Sequence, residues 1–235
     1  MIIFNSIAMN INKKIIILPI VAFSLILSSC DELKRTQSVS KITDSGLKDL
    51  LITEFDLTDF RKMSEGELKF DSKPLLSSIV RQADQTCESE RYYLGPTLQN
   101  SNGSIVITSL SESICKNKEM IKKHVLSEER ISKSKAEYEE AINLLAKQLG
   151  GSYENIKTSI VNDHGLGDDI FLYKTTADII YKGIINGYII YSYYILSDKA
   201  AITISIKTFD GIDKKILENT VFKTIKSAKD KINSL

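Results

Sequence analysis

An α+β domain, an antiparallel sheet with helices packed on it, is what the second half of the sequence predicts. Three observations carry this. Between residues 171 and 208 apolar residues recur at every second position, in runs separated by hairpin-forming residues, the pattern of half-buried strands. Upstream, Ala141, Ile142, Leu145 and Leu149 recur at helical spacing and stop at Gly150-Gly151. Downstream, Leu217, Val221, Ile225, Ala228 and Ile232 form one apolar stripe on a helix beginning near Asp213. A helix with a single apolar stripe needs a surface to cover, and the strands supply it.

The elements read in order as follows. Leu47 to Met63 is rich in apolar residues (Leu50, Leu51, Ile52, Phe55, Leu57, Phe60), with a period that fits helix and strand alike. Glu67 to Phe70 reads as a short strand, and Pro74 opens a short helix through Leu75, Leu76, Ile79 and Val80. Tyr92 to Leu94 is a strand ended by Gly95-Pro96, and Asn102-Gly103 turns the chain into a β-branched strand from Ser104 to Thr108. A helix follows from about Lys118 to Ile131, and Ser134 with Glu137 reads as the capping box of the next. Strands are expected over Phe171–Thr175, Ile179–Ile185, Tyr188–Leu196 and Ala200–Thr208. Asn186-Gly187 is the strongest hairpin signal, because both residues tolerate positive φ, and Ser197-Asp198-Lys199 closes a second hairpin. In the last strand Ile202, Ile204 and Ile206 should face the core, and Thr203, Ser205 and Lys207 water.

The N-terminus is organised differently. Lys13 and Lys14, with no acid nearby, precede an apolar run from Ile15 to Leu27 broken by Pro19 and Ser24. As a helix that run is about 20 Å long, short of a bilayer core of roughly 30 Å. Basic flank, short apolar core and small residues are the order of a signal peptide. Leu27-Ser28-Ser29-Cys30 resembles the lipobox of bacterial lipoproteins. The resemblance implies diacylglycerol on the Cys30 sulfur, cleavage before it, and a stable membrane anchor of several acyl chains. Met9 would serve equally well as the start. The expected organisation is a leader over 1–29, a lipidated cysteine and flexible polar tether over 30–46, and one globular domain over 47–235. Asp31 after the cysteine resembles the inner-membrane retention signal of enteric-type bacteria, so the domain is expected to face the periplasm, with the inner membrane favoured over the outer.

With Cys30 committed to lipid, Cys87 and Cys115 remain. In an oxidising compartment they are expected to pair, closing a loop of some 28 residues and stabilising the fold by roughly 3 kcal/mol. Two buried free thiols, or a redox or metal site, are the alternatives.

From residue 104 the order is strand, helix pair, antiparallel meander, helix. This order resembles the Mog1/PsbP-like fold over about residues 100–232, on Ser104-Ile105-Val106-Ile107, the helix to Gly150-Gly151, the Tyr188 to Thr208 hairpin and the closing helix. The resemblance implies an α/β/α sandwich of a kind found in DcrB-related lipoproteins, several of them non-catalytic, and in some membrane-anchored toxin-immunity proteins.

Chemistry-bearing patterns are sparse. Lys and Arg total 31 against 30 Asp and Glu, and cleavage before Cys30 leaves 29 against 30, which argues against nucleic acid as partner. No Gly-x-Ser-x-Gly elbow, HExxH, P-loop or dinucleotide fingerprint is present. His124 sits among lysines on an expected solvated helix face. His164, in Asn162-Asp163-His164-Gly165-Leu166-Gly167-Asp168-Asp169, reads as a turn rather than a metal loop. Glu128-Glu129 and Glu139-Glu140 read as solvated helix faces. No catalytic residue, metal or cofactor is expected. The unusual feature is a tyrosine cluster, Tyr181, Tyr188, Tyr191, Tyr193 and Tyr194, whose alternate members share a face and would form a protein-binding surface if that face were open. A non-catalytic, lipid-anchored envelope protein that binds another protein is the expectation. A small-ligand or lipid-binding domain comes second, and a hydrolase with a dispersed site third.

Overall fold

A computed structural model describes residues 42–64, 80, 91–114, 117–161 and 167–235, all within one compact unit, Lys41–Leu235. The leader and lipobox, Cys30, Cys87, Cys115, the Glu67–Phe70 strand, the helix from Pro74 to Ile79 and the His164 loop lie outside the described residues.

The described chain runs α1 (Asp44–Asp49), β1 (Phe60–Lys62), β2 (Tyr92–Leu94), β3 (Leu98–Asn100), β4 (Ile105–Ser113), α2 (Lys118–Val125), α3 (Glu128–Gln148), β5 (Ser152–Val161), β6 (Ile170–Tyr181), β7 (Ile184–Leu196), β8 (Ala200–Phe209), α4 (Lys214–Asn233). The class is α+β, as the sequence predicts. The eight strands form one sheet in the order β1-β3-β4-β8-β7-β6-β5, every pair antiparallel, with β2 pairing to β4 off this path.

Helices cover both faces. On one, Ile105, Ile107, Ile202, Ile204, Ile206, Tyr193 and Ile195 pack against Leu47 and Leu50 around α1 and against Ile225, Ala228 and Ile232 of α4. The stripe expected of the C-terminal helix is the one that packs, and Asp213 caps it by accepting from Lys215 N at 2.8 Å. On the other face α2 and α3 lie over Phe171, Tyr173, Ala177, Ile179 and Tyr194.

Five expectations are corrected. The domain starts earlier than residue 47, because Ile42 is buried and Thr43 caps α1 by accepting from Gly46 N. The expected Lys118–Ile131 helix is two helices, broken at Leu126-Ser127, and α3 is capped by Ser127, which accepts from Arg130 N at 3.2 Å, rather than by Ser134. Ser134 instead lies buried inside α3. A strand absent from the sequence reading, β5, forms the sheet edge; a register shift between Glu154 and Lys157, with Asn155 at φ 56°, interrupts its alternation and hides it. Thr203, Ser205 and Lys207 do not face water but are buried beneath the second helical layer.

The fifth correction is the hairpin. β6 and β7 turn at Lys182-Gly183, with φ of 49° and 76° and Tyr181 opposite Ile184, and the expected Phe171–Thr175 and Ile179–Ile185 strands are one strand plus the start of the next. Asn186-Gly187 sits inside β7 opposite Ile179 and Asp178. Face parity is the same for either turn, so alternation cannot choose between them. The number of paired residues can. The second turn fixes the end of β7 at Leu196, and a turn at Asn186-Gly187 would leave the first half of β6 with no partner on that strand. Gly187 is required for another reason. A Cβ there would lie 2.7 Å from Asp210 Cβ, where the chain leaves β8.

Candidate functional site

The face under α3 is polar to an extent that alternation does not announce. Strand register places Thr108, Ser205, Ser192 and Tyr173 in one row across four strands, with Thr203 and Tyr194 in the next. Above them α3 buries Arg130, Ser134, Tyr138, Ile142 and Ala146, one stripe at a spacing of four. Arg130 is 2% exposed. Its Nη2 donates to the Tyr194 hydroxyl at 3.1 Å and its Nη1 pairs with Glu137 at 3.2 Å. The Tyr138 hydroxyl bonds Ser192 Oγ, and the Tyr173 hydroxyl donates to the Val125 carbonyl at the end of α2.

Arg130, Tyr138 and Tyr173 keep their protons. Burial opposes the charge on Arg130, but Tyr194 and Glu137 more than offset it and hold the guanidinium protonated. Burial, and then the neighbouring Tyr194, push the phenols of Tyr138 and Tyr173 up. Hydrogen-bonded to Tyr194, to Ser192 and to the Val125 carbonyl, these side chains clamp the helical layer to the sheet. The hydroxyls of Thr108, Ser134, Thr203 and Ser205 are buried and have no partner among the described residues, so this layer can accept ordered water or a small polar molecule. Sequence reading missed Arg130 because a charged helical residue reads as solvated. The available signal was the continuation of the stripe backwards from Ile142 in steps of four.

The tyrosine cluster is not an open platform. Alternate members do share faces, but both faces are covered: Tyr188, Tyr193 and Tyr194 are buried and Tyr191 is half-buried. Tyr181 stays exposed. His124 is half-buried rather than solvated, and burial, then Arg130, lower its pKa below the ordinary histidine value. Glu128, Glu129, Glu139 and Glu140 are exposed, as expected.

What is open is the tip of the β6–β7 hairpin. The ladder of β7 with β8 ends at Tyr188 and that of β6 with β5 at Ile180, so residues 181–187 extend past both neighbouring ladders. Ile184 is 63% exposed and Ile185 61%. Being adjacent in a strand, they point to opposite sides, so the tip is an apolar wedge. Tyr181, opposite Ile184, and Phe209, tilted against Tyr188 at 5.1 Å between centroids, flank it.

A separate cavity of about 270 Å³ lies beside the first half of α4, lined by Leu57, Phe60, Asn100, Ile216, Thr220 and Lys223 among others. No group of three or more His, Cys, Asp or Glu able to hold a metal occurs among the described residues, nor any helix long and apolar enough to cross a membrane. Comparison with family models, curated proteins and solved structures gives no match.

Proposed function

We propose that the chain is a lipid-anchored, non-catalytic protein of the cell envelope that binds a protein partner through the tip of the β6–β7 hairpin. Cys30 carries the lipid, Leu27-Ser28-Ser29 direct the processing, and the domain faces the periplasm, from the inner membrane on the reading of Asp31. Cys87 and Cys115 pair in that compartment. The layered α/β/α order supports kinship with the Mog1/PsbP-like fold, and neutralisation of a toxin is the sharpest form of the partner-binding reading.

The observation that carries the proposal is the exposure of Ile184 and Ile185 on a projecting, two-sided tip. Apolar side chains left in water forgo about 1.5–3 kcal/mol each, which a partner's pocket would recover. Pull-down from envelope extracts with the native chain and with the double variant Ile184→Asp, Ile185→Asp tests this. The native chain should retain a stoichiometric protein partner and the variant should lose it, with affinity falling roughly a hundredfold or more. Thermal unfolding should be unchanged, because neither side chain is packed. A partner held equally by the variant would refute the tip as the docking surface.

The 270 Å³ cavity beside α4 favours a second reading, a small-ligand or lipid-binding domain. A co-purifying small molecule lost on Ile216→Asp would support that reading over the first.

A further inference from the structure

The chain as a whole is almost neutral, yet its charge is not evenly spread. Helix α4 carries six lysines against Glu218 and Asp230, so the rest of the molecule is net acidic. Its buried stripe faces the sheet, which leaves Lys215, Phe222 and Lys226 exposed on the outward side. Phe222 is 67% exposed in the middle of that side. The neighbouring loop adds a second aromatic, Phe55, 90% exposed. Asp56, the next residue, accepts from Ser227 Oγ at 2.9 Å and pairs with Lys231 at 2.9 Å, which fixes this loop against α4. Phe222 and Ser227 are five residues apart, about 7.5 Å along the helix and about 140° around it, so the loop flanks the outward side across from Phe222.

Two of the loop's carboxylates are already matched by α4: Asp56 pairs with Lys231, and Asp59 with Lys223 at 3.6 Å. Glu218, on the outward side, pairs with Lys214 at 3.5 Å, and Glu54 and Asp230 are the remaining acids at this face. An open groove runs here, lined by Lys223, Lys226 and Lys231 together with Asp56 and Asp230. Two separated aromatics among lysines differ from the compact apolar wedge of the hairpin tip. They suit an interface in which rings sit at the level of lipid headgroups and cations meet phosphates. The course of the chain agrees. Ile42, the first described residue, belongs to the same packed cluster as Ile225, Ala228 and Ile232 of α4, and Lys231 Nζ donates to the Leu51 carbonyl at 2.7 Å. On the reading that Cys30 is lipidated, the eleven residues between it and Ile42 reach at most about 40 Å.

We propose that the outward face of α4 with the Phe55 loop rests on the anionic surface of the membrane that holds the lipid anchor. Phe222 enters the headgroup region, and Lys215 and Lys226 face lipid phosphates. This rests on the lipoprotein reading for its geometry but not for its readout.

The chain contains no tryptophan, so Phe222→Trp introduces a single reporter at an exposed position. The full-length lipidated protein is reconstituted on vesicles of equal parts phosphatidylcholine and phosphatidylglycerol, and on phosphatidylcholine alone. On the anionic vesicles the indole emission should shift to shorter wavelength and be quenched by brominated acyl chains. Neither change should occur on phosphatidylcholine alone, and high salt should reverse both. Lys215→Gln and Lys226→Gln, added to the reporter, should each lower the docked-to-undocked ratio roughly fivefold. The same reporter as Ile184→Trp should remain unquenched. Unchanged emission of Phe222→Trp on anionic vesicles would overturn the proposal. So would equal quenching on both lipids, or quenching of Ile184→Trp in its place. Flotation of the phosphatidylcholine vesicles, on which the face does not dock, reports the anchor separately. Protein left at the bottom of the gradient contradicts lipidation, and the emission of that protein mixed with vesicles still decides the face.

Discussion

Tyr138 and Ser192 join α3 to the centre of the sheet, and their hydroxyls should be strongly coupled. Both residues are buried, Tyr138 at 2% and Ser192 at 0% exposure. The Tyr138 hydroxyl also lies against that of Tyr194, which Arg130 already serves. Tyr138→Phe therefore removes one bond and leaves the buried Ser192 hydroxyl without that partner. A lost buried hydrogen bond plus an unsatisfied partner costs about 2 kcal/mol. Ser192→Ala costs less, about 1 kcal/mol, because the Tyr138 hydroxyl keeps Tyr194 as a neighbour. The double variant strands nothing, so it should cost about 2 rather than 3 kcal/mol, a coupling of about 1 kcal/mol. For a domain of this size 2 kcal/mol lowers the melting temperature by roughly 4–8 °C. Thermal unfolding of the protein, followed by circular dichroism, measures all four corners of the cycle. Strict additivity would refute the bond. A neutral Tyr138→Phe would show that water reaches this layer and that the clamp is not sealed.

Other consequences follow from backbone contacts and titration. Gly151→Ala would place a Cβ 2.1 Å from the Ile180 carbonyl oxygen, while Gly150→Ala meets nothing and suffers only from φ of 72°. Gly151→Ala should therefore be the more damaging, with Gly150→Ala costing about 1 kcal/mol in a denaturation midpoint comparison. His124 titrates below its ordinary value in the folded chain, so stability should fall as pH drops from about 6.5 toward that lowered value. His124→Gln should flatten that limb of a stability-versus-pH curve. Burial alone would raise Asp56, but its bonds with Lys231, Thr53 and Ser227 hold it below the usual carboxylate value. Its contribution is thus complete above about pH 4 and lost as pH falls through the depressed value, and Asp56→Asn should remove that acid limb.

Local chemistry made α4, the end of α3 and the β7–β8 hairpin legible. The stripe from Leu217 to Ile232 needed only its period, and Gly150 stops α3 because its φ of 72° suits a residue without a side chain. The β6–β7 turn was not legible, since Asn-Gly outscores Lys-Gly as a dipeptide and the deciding term, total strand pairing, is non-local. Residues 203, 205 and 207 failed for a related reason. Alternation reports which side of a strand is polar, and polarity usually means water. Here it means a second protein layer bearing Arg130, Ser134 and Tyr138 at matching positions. Neither stretch alone predicts the match, because each looks like a solvated surface until the other is laid on it.

That matched polar layer bears on function. A layer built from hydroxyls and one buried arginine gains less from burial than an apolar one, and its hydrogen bonds demand one register of α3 on the sheet. Fixing α3 also fixes the chain at Gly150-Gly151, where Gly151 sits against Ile180 and β5 begins. Ile180 lies one residue before Tyr181, at the base of the projecting tip. On the proposed reading, rigidity at that base would hold Ile184 and Ile185 in one orientation and lower the ordering cost of inserting them into a partner's pocket. The clamp thus supports the hairpin tip from the side opposite α4.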